Sequence, residues 1–140
     1  MVIVSVDYGD VRTGLAACDK EERLAYPLGV IVQSKAEVLA AQIAEKCKEC
    51  GAERIVLGLP KNMDGSEGFR AEAVKAFRQI LADVSGLEVV LQDERLTTVS
   101  AHTYLNMTNT RGKKRKETVD AVSAVLILED HLARRKRETQ

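Results

Sequence analysis

Residues 54–59, RIVLGL, form an unbroken apolar run that stops at Pro60. A run of that kind belongs to a strand covered on both faces, as in a parallel sheet. VIVSV at 2–6 and LEVVLQ at 87–92 share its short, β-branched character and predict two more buried strands. Helical punctuation separates the later runs. Ser34 with Glu37 makes a capping box for a helix reaching Cys50, and Gly51 supplies its stop. Asp64 with Glu67 predicts a second capped helix, ending near Gly86.

The N-terminal third has a different rhythm. Short polar turns link the strand at 2–6 to strands at about 13–18 and 24–33, which predicts an antiparallel meander. Pro27 lacks an N–H, so the third strand is expected at a sheet edge. Beyond the strand at 87–92, Thr97 or Thr98 caps a short helix to about Leu105. Residues 106–116, NMTNTRGKKRK, read as a polar loop, and a last helix starts near Glu117. The order βββαβαβαα predicts an α/β fold: a mixed five-stranded sheet, three antiparallel strands then parallel strands, flanked by helices.

A chain of 140 residues fits one domain, expected to span 1–140. Its 21 basic and 21 acidic side chains cancel, so a nucleic-acid partner has to be held by a local basic patch. No apolar run approaches the roughly 18 residues of a membrane span, and the N-terminus lacks the basic lead of a signal peptide. A cytoplasmic protein without membrane contact is expected. Cys47 and Cys50 form a lone CxxC that closes a helix instead of opening one. With His102 and His131 far along the chain, it is read as a pair of ordinary thiols.

Three acids stand where strands end or a helix begins. Asp7 follows the first strand, Glu94 beside Asp93 follows the strand at 87–92, and Asp120 lies in VDAV among apolar neighbours. A carboxylate facing a core is costly unless a cation or several donors satisfy it. Carboxylates on separate rigid elements are what metal-assisted phosphodiester hydrolysis requires, and hard oxygen ligands suit Mg²⁺ or Mn²⁺. Each acid also has a plainer explanation: Asp7 opens the DYGD turn, Asp93 and Glu94 cap a helix or pair with Arg95, and Asp120 meets a helix dipole.

Loops around these acids have phosphate-binding character. Asp7 to Gly14 has the form DxGxxxxG, whose glycines permit close backbone approach to a phosphate. GLPKNMDG at 58–65 leaves a parallel strand at its carboxyl end, where Asn62 and backbone amides can hold a phosphate. Arg111, Lys113, Lys114, Arg115 and Lys116 stand just before Asp120 and bring positive charge toward the acids. With Arg12, Lys61, Asn62 and Arg95 they form the expected nucleic-acid contacts. The run Arg134–Arg137 is explained by the dipole of the helix it ends.

VDYGDVRTGLA, IVLGLPKNMDGSEG, LQDERLTT and VDAVSAVLIL together, and in this order, resemble the motifs of the YqgF family, also called RuvX. The resemblance covers nearly the whole chain. It implies an RNase H-like fold, kinship with the Holliday-junction resolvase RuvC, and a nuclease trimming the 5′ end of pre-16S ribosomal RNA. It implies Asp7, Glu94 and Asp120 as catalytic and metal-binding acids, with Lys114 and Lys116 in the basic stretch before the last. RuvC carries an extra acid where this chain has Ser123, and its second acid sits on the strand where this chain has Gly58. A three-carboxylate site with Glu94 or Asp93 entering from the neighbouring strand is therefore implied.

The expectation is a two-metal nuclease using Mg²⁺ or Mn²⁺, with pre-16S rRNA as substrate and ribosomal particles as associated partners. Two alternatives remain open on sequence: a resolvase of branched DNA, and a non-catalytic RNase H-like module that docks on RNA or protein. Sequence also leaves open RNA against DNA, because 2′-OH contacts depend on side-chain geometry.

Overall fold

The carbonyls and amides of the first strand find partners on both sides, which makes it the middle of the sheet. A computed structural model describes residues 1–60, 67–93 and 112–138, with side chains described except at 112–120. The strands are β1 (Ile3–Asp7), β2 (Arg12–Cys18), β3 (Ala25–Val32), β4 (Arg54–Leu59) and β5 (Glu88–Asp93). The helices are α1 (Ala36–Cys50), α2 (Phe69–Ser85) and α3 (Gly112–Glu138). Sheet order is β3-β2-β1-β4-β5. β1–β2 and β2–β3 are antiparallel, whereas β1–β4 and β4–β5 are parallel. The expected mixed sheet is therefore present, and Pro27 lies on edge strand β3, opposite Ala16 where the register slips.

Strand alternation sends successive side chains to opposite faces. Val4, Val6, Leu15, Ile55, Leu57 and Val89 pack with Leu39, Ile43, Val74, Phe77 and Leu81 of α1 and α2. Ile3, Ala16, Cys18 and Val56 take the other face, against Ala124, Ile127 and Leu128 of α3. Each large aliphatic side chain so buried contributes about 1.5–3 kcal/mol relative to exposure. The two faces are thus assigned residue by residue, and the odd positions of β1 belong to the α3 face.

Helix α3 runs antiparallel to β1. The Ser5 hydroxyl donates to the Ala124 carbonyl at 2.6 Å. Nearer the helix end, Arg135 donates to Glu22 at 2.8 and 3.2 Å, and Glu22 also receives the N-terminal ammonium of Met1 at 3.0 Å. The carboxyl end of α3 therefore meets the start of β1, and its amino end lies toward the end of β1.

Three boundaries differ from expectation. Ser34 does not cap α1: Lys35 occupies the cap position, in extended backbone and without a side-chain bond. Helix α2 begins at Phe69 after Gly68, later than an Asp64 cap implies; Asp64 itself lies outside the described residues. Helix α3 begins at Gly112, so Lys113, Lys114, Arg115 and Lys116 are helical and not in a loop. Lys, Arg and Glu are good helix formers, and 112–117 contains no breaker after its glycine. The expected short helix at 97–105 falls outside the described residues.

Candidate active site

Asp7 ends β1 on the α3 face, by alternation with Ile3 and Ser5. Its partner across the antiparallel ladder is Gly14, and the parallel pairing of β1 with β4 runs to Val6↔Leu57, so Gly58 is the β4 residue next in line beside Asp7. Both lateral positions beside Asp7 are thus glycines, which add only backbone at this level of the sheet. Asp7 stands at the carboxyl ends of the parallel strands, where α/β folds hold ligands.

The turn after Asp7 is held from below. Gly9 donates its N–H to Thr13 Oγ1 at 3.3 Å, and a Cβ at Gly9 would overlap the Arg12 carbonyl oxygen. Tyr8 faces the opposite way and stacks on Phe77 of α2, with centroids 4.3 Å apart and planes at 6°. Arg70, in the first turn of α2, donates to the Tyr8 carbonyl at 2.9 Å and lies 3.7 Å from Asp10. Sequence reasoning did not find Arg70, because nothing in the spacing of α2 ties it to the first turn. Its neighbour Phe69 is exposed.

Position 120 comes to the same level from above. Two residues from Ser5 to Asp7 rise about 7 Å along a strand, and four from Ala124 back to 120 rise about 6 Å along a helix. Residues 120, 124 and 128 also share one helical row, and Ala124 and Leu128 are both buried against the sheet. The backbone of Asp120 is therefore carried to the Asp7 end of β1. Lys113–Lys116 stand a further 6–11 Å, roughly, along the same helix, beyond the sheet.

Strand β5 separates the two candidates for the second acid. Asp93 is opposite Leu59, on the α1 and α2 face, so it points away from the Asp7 face. Glu94, next in the chain, lies outside the described residues. So do Lys61, Asn62, Arg95 and Arg111. Arg12 is half-buried on the Asp7 face, two positions before Gly14 on β2. Among the described residues no three His, Cys, Asp or Glu side chains gather as a metal-binding group.

Gln92 was also missed by sequence reasoning. It is 8% exposed, opposite Gly58 in the β4–β5 register, and shares the Asp7 face. Its Oε1 has no hydrogen-bond partner among the described residues. A polar residue closing an otherwise apolar strand was the available signal. An orphaned buried carbonyl oxygen across a glycine from Asp7 suits hard-cation chemistry, where oxygen donors and retained waters prevail.

The family described as "RuvX: Holliday junction resolvase" matches residues 1–134. A protein of Chloroflexus aggregans named "Putative pre-16S rRNA nuclease" is 40% identical over 134 residues, covering 96% of this chain and 94% of that one. A protein of the same name from Lactococcus lactis subsp. cremoris is 42% identical over 132 residues, with coverage of 93% and 92%. Among solved structures, Thermus thermophilus RuvC with a Holliday junction substrate superposes with a TM-score of 0.59 at 14% identity, covering 95% of this chain and 96% of that one. The fowlpox virus Holliday junction resolvase gives 0.55 at 13% identity, with coverage of 95% and 99%. These two likenesses share the RNase H-like fold expected from the motifs.

Proposed function

This chain belongs to the RuvX family, and we propose that it is a metal-dependent nuclease that hydrolyses phosphodiester bonds at the 5′ end of pre-16S ribosomal RNA in the cytoplasm. The observation that carries the reading is the setting of Asp7: a strand-end carboxylate between two glycines, at the level where α3 brings position 120. A structural turn residue has no need of glycines on both sides. The names borne by the relatives support this substrate, and ribosomal particles are part of the proposal as its carrier.

The catalytic set is Asp7, Glu94 and Asp120. Mg²⁺ or Mn²⁺, when bound, supplies an acidified water and positive charge opposite the leaving oxygen. Asp7 anchors the site from the rigid centre of the sheet, while Arg70 ties the turn that follows it to α2. Glu94, and not Asp93, is the second acid, because Asp93 lies on the α1 and α2 face. The helical run Lys113–Lys116, with Arg12, Lys61, Asn62, Arg95 and Arg111, binds the phosphate backbone. Each such contact strengthens binding in a salt-dependent and largely sequence-independent way. No helix among the described residues is long and apolar enough to cross a membrane.

The testing experiment sets a 5′-extended 16S rRNA precursor fragment beside a DNA four-way junction, with Mn²⁺ or Mg²⁺ and an Asp7→Asn control. Metal-dependent cutting of the RNA, lost in the control, is the expected result. The family description and the RuvC likeness favour the junction as second reading, and cutting of the junction alone would establish it. Binding of either without cutting would leave a docking module.

A further inference from the structure

Three buried polar atoms lack a hydrogen-bond partner among the described residues: Gln92 Oε1, Ser123 Oγ and His131 Nε2. His131 lies near the far end of α3, toward Arg135 and Glu22, and Ser123 is a small hydroxyl inside the helix. Gln92 stands apart. It closes β5 at the carboxyl end of the sheet, and it shares the α3 face with Val90, Val56 and Asp7. Along one row the sheet reads Val30, Gly14, Asp7, Gly58, Gln92. Asp7 and Gln92 are the two polar side chains of that row, with a glycine between them.

An amide in that position is costly for the apo fold. A buried carbonyl oxygen without a donor loses its water and gains nothing in return. A leucine of nearly the same volume would fill the place without that penalty, as Leu91 and Val90 fill theirs. The cost is relieved when donors reach Gln92 Oε1 from the direction of Asp7. Two strand spacings separate the Asp7 and Gln92 backbones by about 10 Å, too far for one small ion to touch both side chains comfortably. Mg²⁺ and Mn²⁺ sites usually retain several waters, and those waters are donors.

Resting on the nuclease reading above, we propose that Gln92 is a positioning residue of the metal site: its side-chain carbonyl accepts from the hydration shell of a divalent cation held by Asp7. The glycine at position 58 puts no side chain between Asp7 and Gln92. Outer ligands of this kind orient the inner ones, and their loss typically weakens metal affinity 10–100-fold.

The test measures Mn²⁺ affinity of the full chain without substrate, by electron paramagnetic resonance of free Mn²⁺, together with thermal unfolding of the metal-free protein. Gln92→Leu is expected to weaken Mn²⁺ binding at least about tenfold and to leave the apo melting temperature unchanged or higher. Gln92→Glu, which keeps an oxygen at the same reach, is expected to bind Mn²⁺ at least as tightly as the parent. A purely structural glutamine gives the opposite pattern: Gln92→Leu melts earlier and binds Mn²⁺ as the parent does, and that overturns the proposal. Weak binding by Gln92→Glu, equal to that of Gln92→Leu, overturns it too. Asp7→Asn separates the two levels. If it weakens Mn²⁺ binding while Gln92→Leu does not, only the role of Gln92 falls; if neither weakens it, the metal site at Asp7 falls as well.

Discussion

The Ser5 hydroxyl donates a 2.6 Å hydrogen bond to the Ala124 carbonyl, and both residues are fully buried. This bond links the central strand to the last helix at a point one helical turn from position 120 and two strand residues from Asp7. It sets the register between the two elements that carry two of the proposed acids. Ser5→Ala removes the donor, while Ala124 keeps its place in the helix, so the expected loss is about 1 kcal/mol of stability. Cleavage should fall by more than stability explains, because a displacement of about 1 Å at the acids costs about 100-fold in rate. Denaturant unfolding and single-turnover cleavage on the same variant check both.

Gly9→Ala tests the turn. A Cβ there overlaps the Arg12 carbonyl oxygen, and the clash lies within backbone, so no side chain can move to relieve it. The turn has to open, and Asp7 moves with it. The expected outcome is a folded protein whose cleavage falls about 100-fold, with far-ultraviolet circular dichroism retained. Arg70→Gln, which loosens the same turn from α2, should show a milder loss.

The pH dependence of stability follows from two groups at the other end of α3. Arg135 and the Met1 ammonium hold Glu22 below its ordinary value of 4.5, with the Arg135 hydrogen bond the larger cause. That stabilisation is present above 4.5 and is lost as pH falls through the depressed folded value. Burial, aided by Arg54, Arg135 and Arg134, pushes His131 below its ordinary 6.5. The unfolded chain then binds the extra proton, so stability declines as pH falls below 6.5. His131→Leu should flatten the upper part of this decline and Glu22→Gln the lower part, as read by denaturant midpoints across pH 3–8.

The cysteines should behave as thiols and nothing more. Burial pushes Cys47 up to about 12 and raises Cys18, whereas Cys50 is only partly buried and donates to the Cys47 carbonyl at 3.7 Å. A disulfide reagent at pH 8 should modify Cys50 quickly and leave the other two until the protein unfolds. Cys50→Ser should cleave as the parent does. Loss of activity in that variant would contradict the reading of the CxxC as inert.

Much of the architecture was legible because strands with two covered faces have a plain signature. RIVLGL and VIVSV needed no alternation to be recognised, and Pro27 correctly marked the edge. Helix starts were less legible. Ser34 with Glu37 has the residues of a capping box, yet Lys35 ends up at the cap, with its amide donating to the side chain of Gln33 just past β3. The run at 113–116 reads as a loop by charge and as a helix by propensity, and propensity prevailed. Of the candidate site, Asp7 and the end-of-sheet location were readable from motif and strand ends. The faces of Asp93 and Gln92 were not, because a one-residue choice of register reverses every side chain. Arg70 depends on packing between α2 and the first turn, which no local spacing encodes.

The most direct measurement is metal-dependent cleavage of the 5′-extended 16S rRNA precursor by the parent chain and by Asp7→Asn, with Mn²⁺ affinity measured on both. The account predicts cutting by the parent, none detectable in the variant, weakened Mn²⁺ binding in the variant, and the same melting temperature within a few degrees. An Asp7→Asn protein that cuts like the parent would contradict it.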